Sequence, residues 1–205
     1  NMIGIINYGL GNVQAFANIY KNLNLNYQLV DNEEDILKCS KLVFPGVGHF
    51  DHAMTLFNDS GLKNVIEQKV LIDKTPIIGI CVGMQMLAKS SEEGVLPGLG
   101  WIDGEVKKFS TENLTHKSKL PQMGWNTIQH SGTHSIFNNI PSDSRFYFLH
   151  SYYFKCTSES NVLCTTNYGI NYHSAVFKDN IYGVQFHPEK SHQNGVQLLQ
   201  NFANL

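Results

Sequence analysis

Three residues of this chain have the types and spacing of a nucleophile, a base and a group that orients the base. Cys81 lies in Gly79-Ile80-Cys81-Val82-Gly83, where an apolar run gives way to helical spacing. This G-x-C-x-G string is the cysteine form of a nucleophile elbow, a sharp strand-to-helix turn that lifts a side chain above the edge of a sheet. Backbone angles in such a turn are strained, so the neighbours must lack bulk. The amides that open the following helix, expected over residues 82–89, aim at the sulfur and favour its anionic form. A thiol nucleophile also needs a base and an orienter. His187-Pro188-Glu189 follows the apolar run 182–186. Two positions apart in an extended segment, His187 and Glu189 project to one side. Glu189 can then accept from one ring nitrogen while the other faces the sulfur, and Pro188 stiffens the segment between them. An H-x-E tripeptide is weak evidence alone and strong evidence beside an elbow. Attack on an amide carbonyl builds charge on oxygen, which calls for two aimed N–H groups. Val82 offers one; Pro45-Gly46-Val47-Gly48 can place the other at Val47 or Gly48, although the string also reads as an ordinary strand-ending turn. Cys39, Cys156 and Cys164 read as buried structural thiols.

These groups must be carried by a scaffold. Residues 2–7, 27–30, 42–44 and 76–80 are apolar runs of strand length, and 13–23, 50–57 and 62–71 have helical spacing. Such alternation predicts an α/β fold with a central, mostly parallel sheet flanked by helices. Sheets of this kind bind ligands at the C-terminal ends of their strands. The second half is poorer in helices. Strands are expected at 104–109, 126–129, 145–149, 152–155, 162–166, 173–177 and 181–186, the last two joined by a turn at Lys178-Asp179-Asn180. Ser191 is placed to cap a final helix whose inner face carries Val196, Leu199 and Phe202. The expectation is one domain over residues 2–205 with an antiparallel β extension; Asn1 ahead of Met2 reads as a cloning remnant.

Composition narrows the function classes. Of 205 residues, 42% are hydrophobic, enough for a sizeable core. Fifteen Lys+Arg against 17 Asp+Glu leave a net charge of -2, so there is no electrostatic footprint for nucleic acid or an anionic membrane. No apolar run is long enough to span a bilayer, and the first residues lack a signal-peptide pattern. Four cysteines without a C-x-x-C pair point to free thiols and a reducing cytoplasm. Nine histidines lack metal-ligand spacing, so neither a metal nor an organic cofactor is expected.

Together, GICVGMQ, PGVG and QFHPEKS resemble the class I glutamine amidotransferases, a flavodoxin-like family. NYGLGN, PQMGWN (121–126) and YFLHSYY (147–153) are similar to the glutaminase subunit type of imidazole glycerol phosphate synthase or a close paralogue, and the resemblance runs over nearly the whole chain. It implies a glutaminase that forms a glutamyl thioester at Cys81 and hands ammonia to a partner synthase. It also implies that Gln85 and Glu93 bind the amino-acid end of L-glutamine, with backbone groups at His150, Ser151 and Tyr152 meeting its carboxylate. An acidic Glu93 suits the ammonium group of that substrate. The implied partner is a (βα)8-barrel cyclase subunit in histidine biosynthesis, or a sugar-aminating synthase subunit for surface glycans, in a heterodimer. Asn12 and the 121–126 motif would face it, with contacts at Met123, Trp125 and Asn126. Two positions depart from the family pattern: Asn7, where biosynthetic members usually carry Asp, and Val82, where Leu is common. The first removes a charge beside the partner motif, and NYGLGNVQAF is closer to the surface-glycan branch. Other elbow-cysteine hydrolases and peptidases share such a fold, but they do not require Gln85, Glu93 or the partner-facing strings. A non-catalytic interaction protein is disfavoured because every expected catalytic position holds a competent residue.

Overall fold

The computed structural model describes residues 1–114 and 119–205. The first half alternates as its apolar runs require: β1 (Ile3–Ile6), α1 (Val13–Asn22), β2 (Tyr27–Val30), α2 (Glu33–Leu37), β3 (Lys41–Gly46), α3 (Phe50–Asp59), α4 (Lys63–Glu67), β4 (Ile77–Cys81) and α5 (Val82–Gln85). Every residue of β1, β3 and β4 is buried, as befits central strands covered on both faces. The second half supplies β5 (Ser90–Ser91), β6 (Gly104–Lys108), β7 (Gln122–Thr127), β8 (Arg145–His150), β9 (Tyr152–Cys156), β10 (Val162–Tyr168), β11 (Ile170–Lys178), β12 (Ile181–Val184) and α6 (His192–Ala203).

The main sheet runs β2-β1-β3-β4-β12-β11-β9-β6-β5, with β10 on β11; β7 and β8 form a separate antiparallel ribbon. The chain steps from β1 out to β2, then back past β1 to β3 and β4. Right-handed crossovers therefore put α1 on the face opposite α2, α3 and α4. α6 joins α1, and the Tyr20 hydroxyl donates to the Leu199 carbonyl at 3.0 Å. β1, β3, β4 and β12 are adjacent and parallel. Their C-terminal ends share one edge, which delivers Tyr8, Gly46, Cys81 and residues 185–187 to the same place. The antiparallel strands extend this one sheet from β12 outward, through the expected hairpin at Asp179 and Asn180.

Several boundaries differ from expectation for local reasons. The helix expected over 82–89 stops at Gln85: the Leu87 and Ala88 amides tighten to the Met84 and Gln85 carbonyls three residues back, and the Lys89 amide donates to the Gly104 carbonyl instead of to the preceding turn. β3 continues through Pro45 and Gly46, so PGVG ends the strand two residues later than expected. The helix expected over 62–71 is α4 followed by a single π turn, Gln68–Ile72. The strand expected at 126–129 lies at 122–127, paired from Gln122 with His150 to Thr127 with Arg145. Ser191 precedes α6 but does not cap it with its side chain. Its hydroxyl donates to the His187 carbonyl and accepts from the Tyr147 amide. Leu199 and Phe202 are buried, and Val196 lies at the margin.

Candidate active site

Cys81 ends β4 with φ 58° and ψ -113°, a conformation that non-glycine residues rarely adopt. Packing on both sides of the turn imposes it. A Cβ on Gly83 would lie 2.1 Å from the Phe44 carbonyl oxygen, and one on Gly79 would lie 2.6 Å from the Gly83 oxygen. Only hydrogen at these two positions lets β4 turn into α5 against β3. The register sets Gly46 beside Cys81, which brings the PGVG loop to the sulfur. Val82 is the first residue of α5, so its N–H has no intrahelical partner and remains available.

The imidazole is held from several directions. The His187 amide donates to the Tyr147 carbonyl at 2.8 Å, and Ser191 bridges the same two residues. Pro188 opens a one-turn 3-10 segment, so His187-Pro188-Glu189 is a turn where an extended segment was expected. The pairing survives: Nδ1 of His187 and Oε2 of Glu189 are 3.0 Å apart, with both side chains nearly buried. The other carboxylate oxygen of Glu189 is buried without a hydrogen-bond partner among the described residues, so the imidazole is what balances its charge. Burial works against a charge on His187, but hydrogen bonding and charge from Cys81 and Glu189 outweigh it and push the pKa up to about 10. Both neighbours therefore favour a proton on the ring. Cys39, Cys156 and Cys164 are free and buried away from the imidazole, and burial pushes Cys156 and Cys164 up to about 12 and raises Cys39. They stay protonated and inert.

Cys81 and His187 open into a cavity of about 320 Å³ that is also lined by Val47, Gly48, Val82, Gln85, Glu93, His150, Ser151 and Tyr152. Every catalytic, oxyanion and substrate position expected from the sequence lies on this one cavity except Glu189, which stands behind His187. The polar groups have a determined polarity. The Tyr152 carbonyl accepts from Gln85 Nε2 at 3.1 Å and from His150 Nδ1 at 2.8 Å. His150 therefore carries its proton on Nδ1, and its Nε2 accepts from Tyr172 and Gln122. Burial lowers its pKa to about 4, so the ring stays neutral. Gln85 uses its other N–H on Gln185 Oε1 at 3.0 Å, which leaves its oxygen to meet a ligand. Glu93 lines the cavity while one oxygen accepts from the Phe50 amide at the start of α3. Gln185, Gln122 and Tyr172 escaped sequence reading. Gln185 sits inside an apolar run, and its polar partners are distant in the chain.

The residues expected to face a partner divide. Met123 is 65% exposed and Trp125 39% exposed, on the outward side of β7. Trp125 is no core residue; its ring stacks on His192 and meets Tyr147 edge-on. Asn126 is engaged within the protein, donating to Gln122 Oε1 and to the Asn167 carbonyl. Asn12 caps α1 by accepting from the Ala15 amide.

The chain is similar to known proteins along its whole length. The chain is 48% identical to the imidazole glycerol phosphate synthase subunit HisH of Leptospira interrogans, over 100% of both chains. It is 47% identical to the subunit HisH 2 of Methanococcus maripaludis, over 98% of each, and 40% identical to HisH 1 of Campylobacter jejuni strain RM1221, over 100% of each. Among solved structures, a glutamine amidotransferase superposes with TM-score 0.74 at 19% identity, covering 100% of this chain and 98% of that one. PurLQS from Thermotoga maritima gives 0.70 at 17%, covering 99% and 97%; at such identities the likeness concerns the fold. The family described as Glutamine amidotransferase class-I matches residues 4–205. An elbow cysteine, a carboxylate-paired histidine and a common cavity are thus found within a full-length family match, and the chain belongs to the class I glutamine amidotransferases.

Proposed function

We propose that Cys81 is the nucleophile with which this glutamine amidotransferase opens the side-chain amide of glutamine, that His187 and Glu189 are its base and orienter, and that the ammonia passes to the cyclase subunit of an imidazole glycerol phosphate synthase. The observation that carries this reading is the elbow cysteine sharing a cavity with a histidine whose other nitrogen is held by a buried carboxylate. His187 holds the thiol proton, and the sulfur attacks the amide carbon. The carbonyl electrons move to oxygen, which meets the Val82 amide and a PGVG amide at Val47 or Gly48. Collapse expels the amine with the proton from His187, giving ammonia and a glutamyl thioester. Water then gives a proton to His187 and attacks the thioester. The second collapse releases glutamate and returns the proton to the pair. Gln85 offers an acceptor oxygen and Glu93 a carboxylate to the substrate ammonium, while the 150–152 segment faces its carboxylate.

The partner reading rests on full-length relatives named as subunits of that synthase and on the outward Met123 and Trp125. It places residues 2–205, as one glutaminase domain, in a heterodimer with a (βα)8-barrel, in the reducing cytoplasm that suits four free thiols. Glutamate release with and without the cognate barrel subunit tests it. Stimulation by the barrel, together with rescue of a histidine auxotroph, is the expected result. Stimulation by a sugar-aminating synthase alone would reassign the acceptor, and no glutaminase activity with either would end the reading.

A further inference from the structure

We infer that Gln185 is the hydrogen-bond donor that orients and stabilises the Cys81 sulfur for attack. The inference rests on Cys81 being the nucleophile. Val184 pairs with Ile80 in the parallel register of β12 and β4, which sets Gln185 level with Cys81. The side chain is wholly buried, and its Nε2 lies 3.8 Å from the sulfur.

Which end of this amide faces the sulfur follows from donor counting. A backbone carbonyl can only accept, so the group of Gln85 at the Tyr152 oxygen is its NH₂. The same NH₂ meets Gln185, so the atom of Gln185 that faces it must be the acceptor, Oε1. Gln185 therefore turns its N–H toward Cys81. The Tyr152 carbonyl is itself fixed, because His150 Nδ1 fills its second lone pair and Gln122 and Tyr172 hold the other side of that ring. No member of this buried chain can flip alone without facing donor to donor or acceptor to acceptor.

The sulfur needs such a donor. In its protonated form it points at the Leu149 carbonyl, 3.8 Å away. Once the proton has left, that carbonyl presents a negative dipole end to a negative sulfur. The Gln185 N–H opposes this and keeps the sulfur on one bearing while the thioester forms and breaks. Gln185 does not line the cavity, so its effect falls on the sulfur and not on glutamine binding.

The test is the pH dependence of iodoacetamide alkylation, followed on the Cys81 peptide by mass spectrometry. Gln185→Met keeps length and removes the donor. It is expected to move the pH of half-maximal alkylation upward by about one unit, a tenfold change in the proton equilibrium. Gln185→Glu keeps the acceptor toward Gln85 and replaces the N–H with oxygen. In complex with the barrel subunit, it is expected to lower kcat about tenfold and leave KM within about twofold. A purely structural role would lower stability without moving the alkylation profile. A folded Gln185→Met protein with the wild-type profile would overturn the inference; should that variant not fold, the wild-type profile in Gln185→Glu would do so. Absence of preferential Cys81 labelling in the wild type would instead overturn the nucleophile assignment.

Discussion

Around Cys81 the chain is held by close backbone contact between apolar strands; around His187 it is held by hydrogen bonds between buried polar groups. On the first side, two glycines let β3, β4 and the start of α5 touch, and the strained angles of Cys81 follow from that contact. On the second, Tyr147, Ser191 and Glu189 each hold one atom of His187, and the Gln122–His150–Tyr152–Gln85–Gln185 chain leads to the sulfur from the other flank. A nucleophile can be aimed by shape, because its reactivity depends on exposure at a fixed point. A base must be aimed by partners, because they also decide its proton state. The Cys81 side should tolerate changes in polarity but not in size, and the His187 side the reverse.

Cys81→Ala has the largest expected effect, since it removes the reacting atom and leaves both scaffolds intact. Glutamine hydrolysis should fall by at least about 10,000-fold with the thermal midpoint nearly unchanged. Glu189→Gln preserves size and removes charge. It should lower kcat about 1,000-fold and also lower the urea midpoint, because buried His187 loses the carboxylate that supports its proton. Gly83→Ala does the opposite: its Cβ must push the Phe44 carbonyl aside. It should cost about 1–3 kcal/mol of stability, and displacement of the sulfur should lower kcat about 100-fold. If Glu189→Gln left kcat and stability untouched, or Gly83→Ala did, the division between shape and polarity would be wrong.

The smallest effect concerns pH and separates two histidines of one cavity. His187 is raised to about 10 from an unfolded value near 6.5. Its contribution to stability is fully present below about 6.5 and is lost as pH rises through about 10. His150 is lowered to about 4, so its contribution is present above about 6.5 and is lost as pH falls through about 4. Urea midpoints across pH should therefore show a flatter alkaline limb in His187→Gln and a flatter acid limb in His150→Gln. The reverse assignment of limbs would refute the two proton states.

The same division explains what was legible in the sequence. Buried parallel strands carry unbroken apolar runs, and the elbow carries its glycines, so β1, β3, β4 and Cys81 could be placed from local pattern alone. The H-P-E string pointed to the pairing of His187 with Glu189, although Pro188 began a turn where an extended segment was expected. Polar side chains that work in pairs left no such trace. Gln185 lies in the expected strand 181–186 as one polar residue among apolar ones, and nothing nearby names Gln85 as its partner. The end of α5 was hidden too, because the Lys89 amide that a longer helix would need goes to Gly104, fifteen residues on. β7 was misplaced by several residues because Pro121 and Gly124 interrupt its pattern, and its inward Gln122 and Asn126 bond to one another and to distant partners.

Covalent capture tests the pairing of Cys81 with His187 most directly. A glutamine-like diazo ketone incubated with the protein and its barrel partner should leave one adduct, on the Cys81 peptide, and His187→Asn should slow its formation. An adduct on Cys39, Cys156 or Cys164, or labelling of Cys81 at the same rate without the imidazole, would contradict the account.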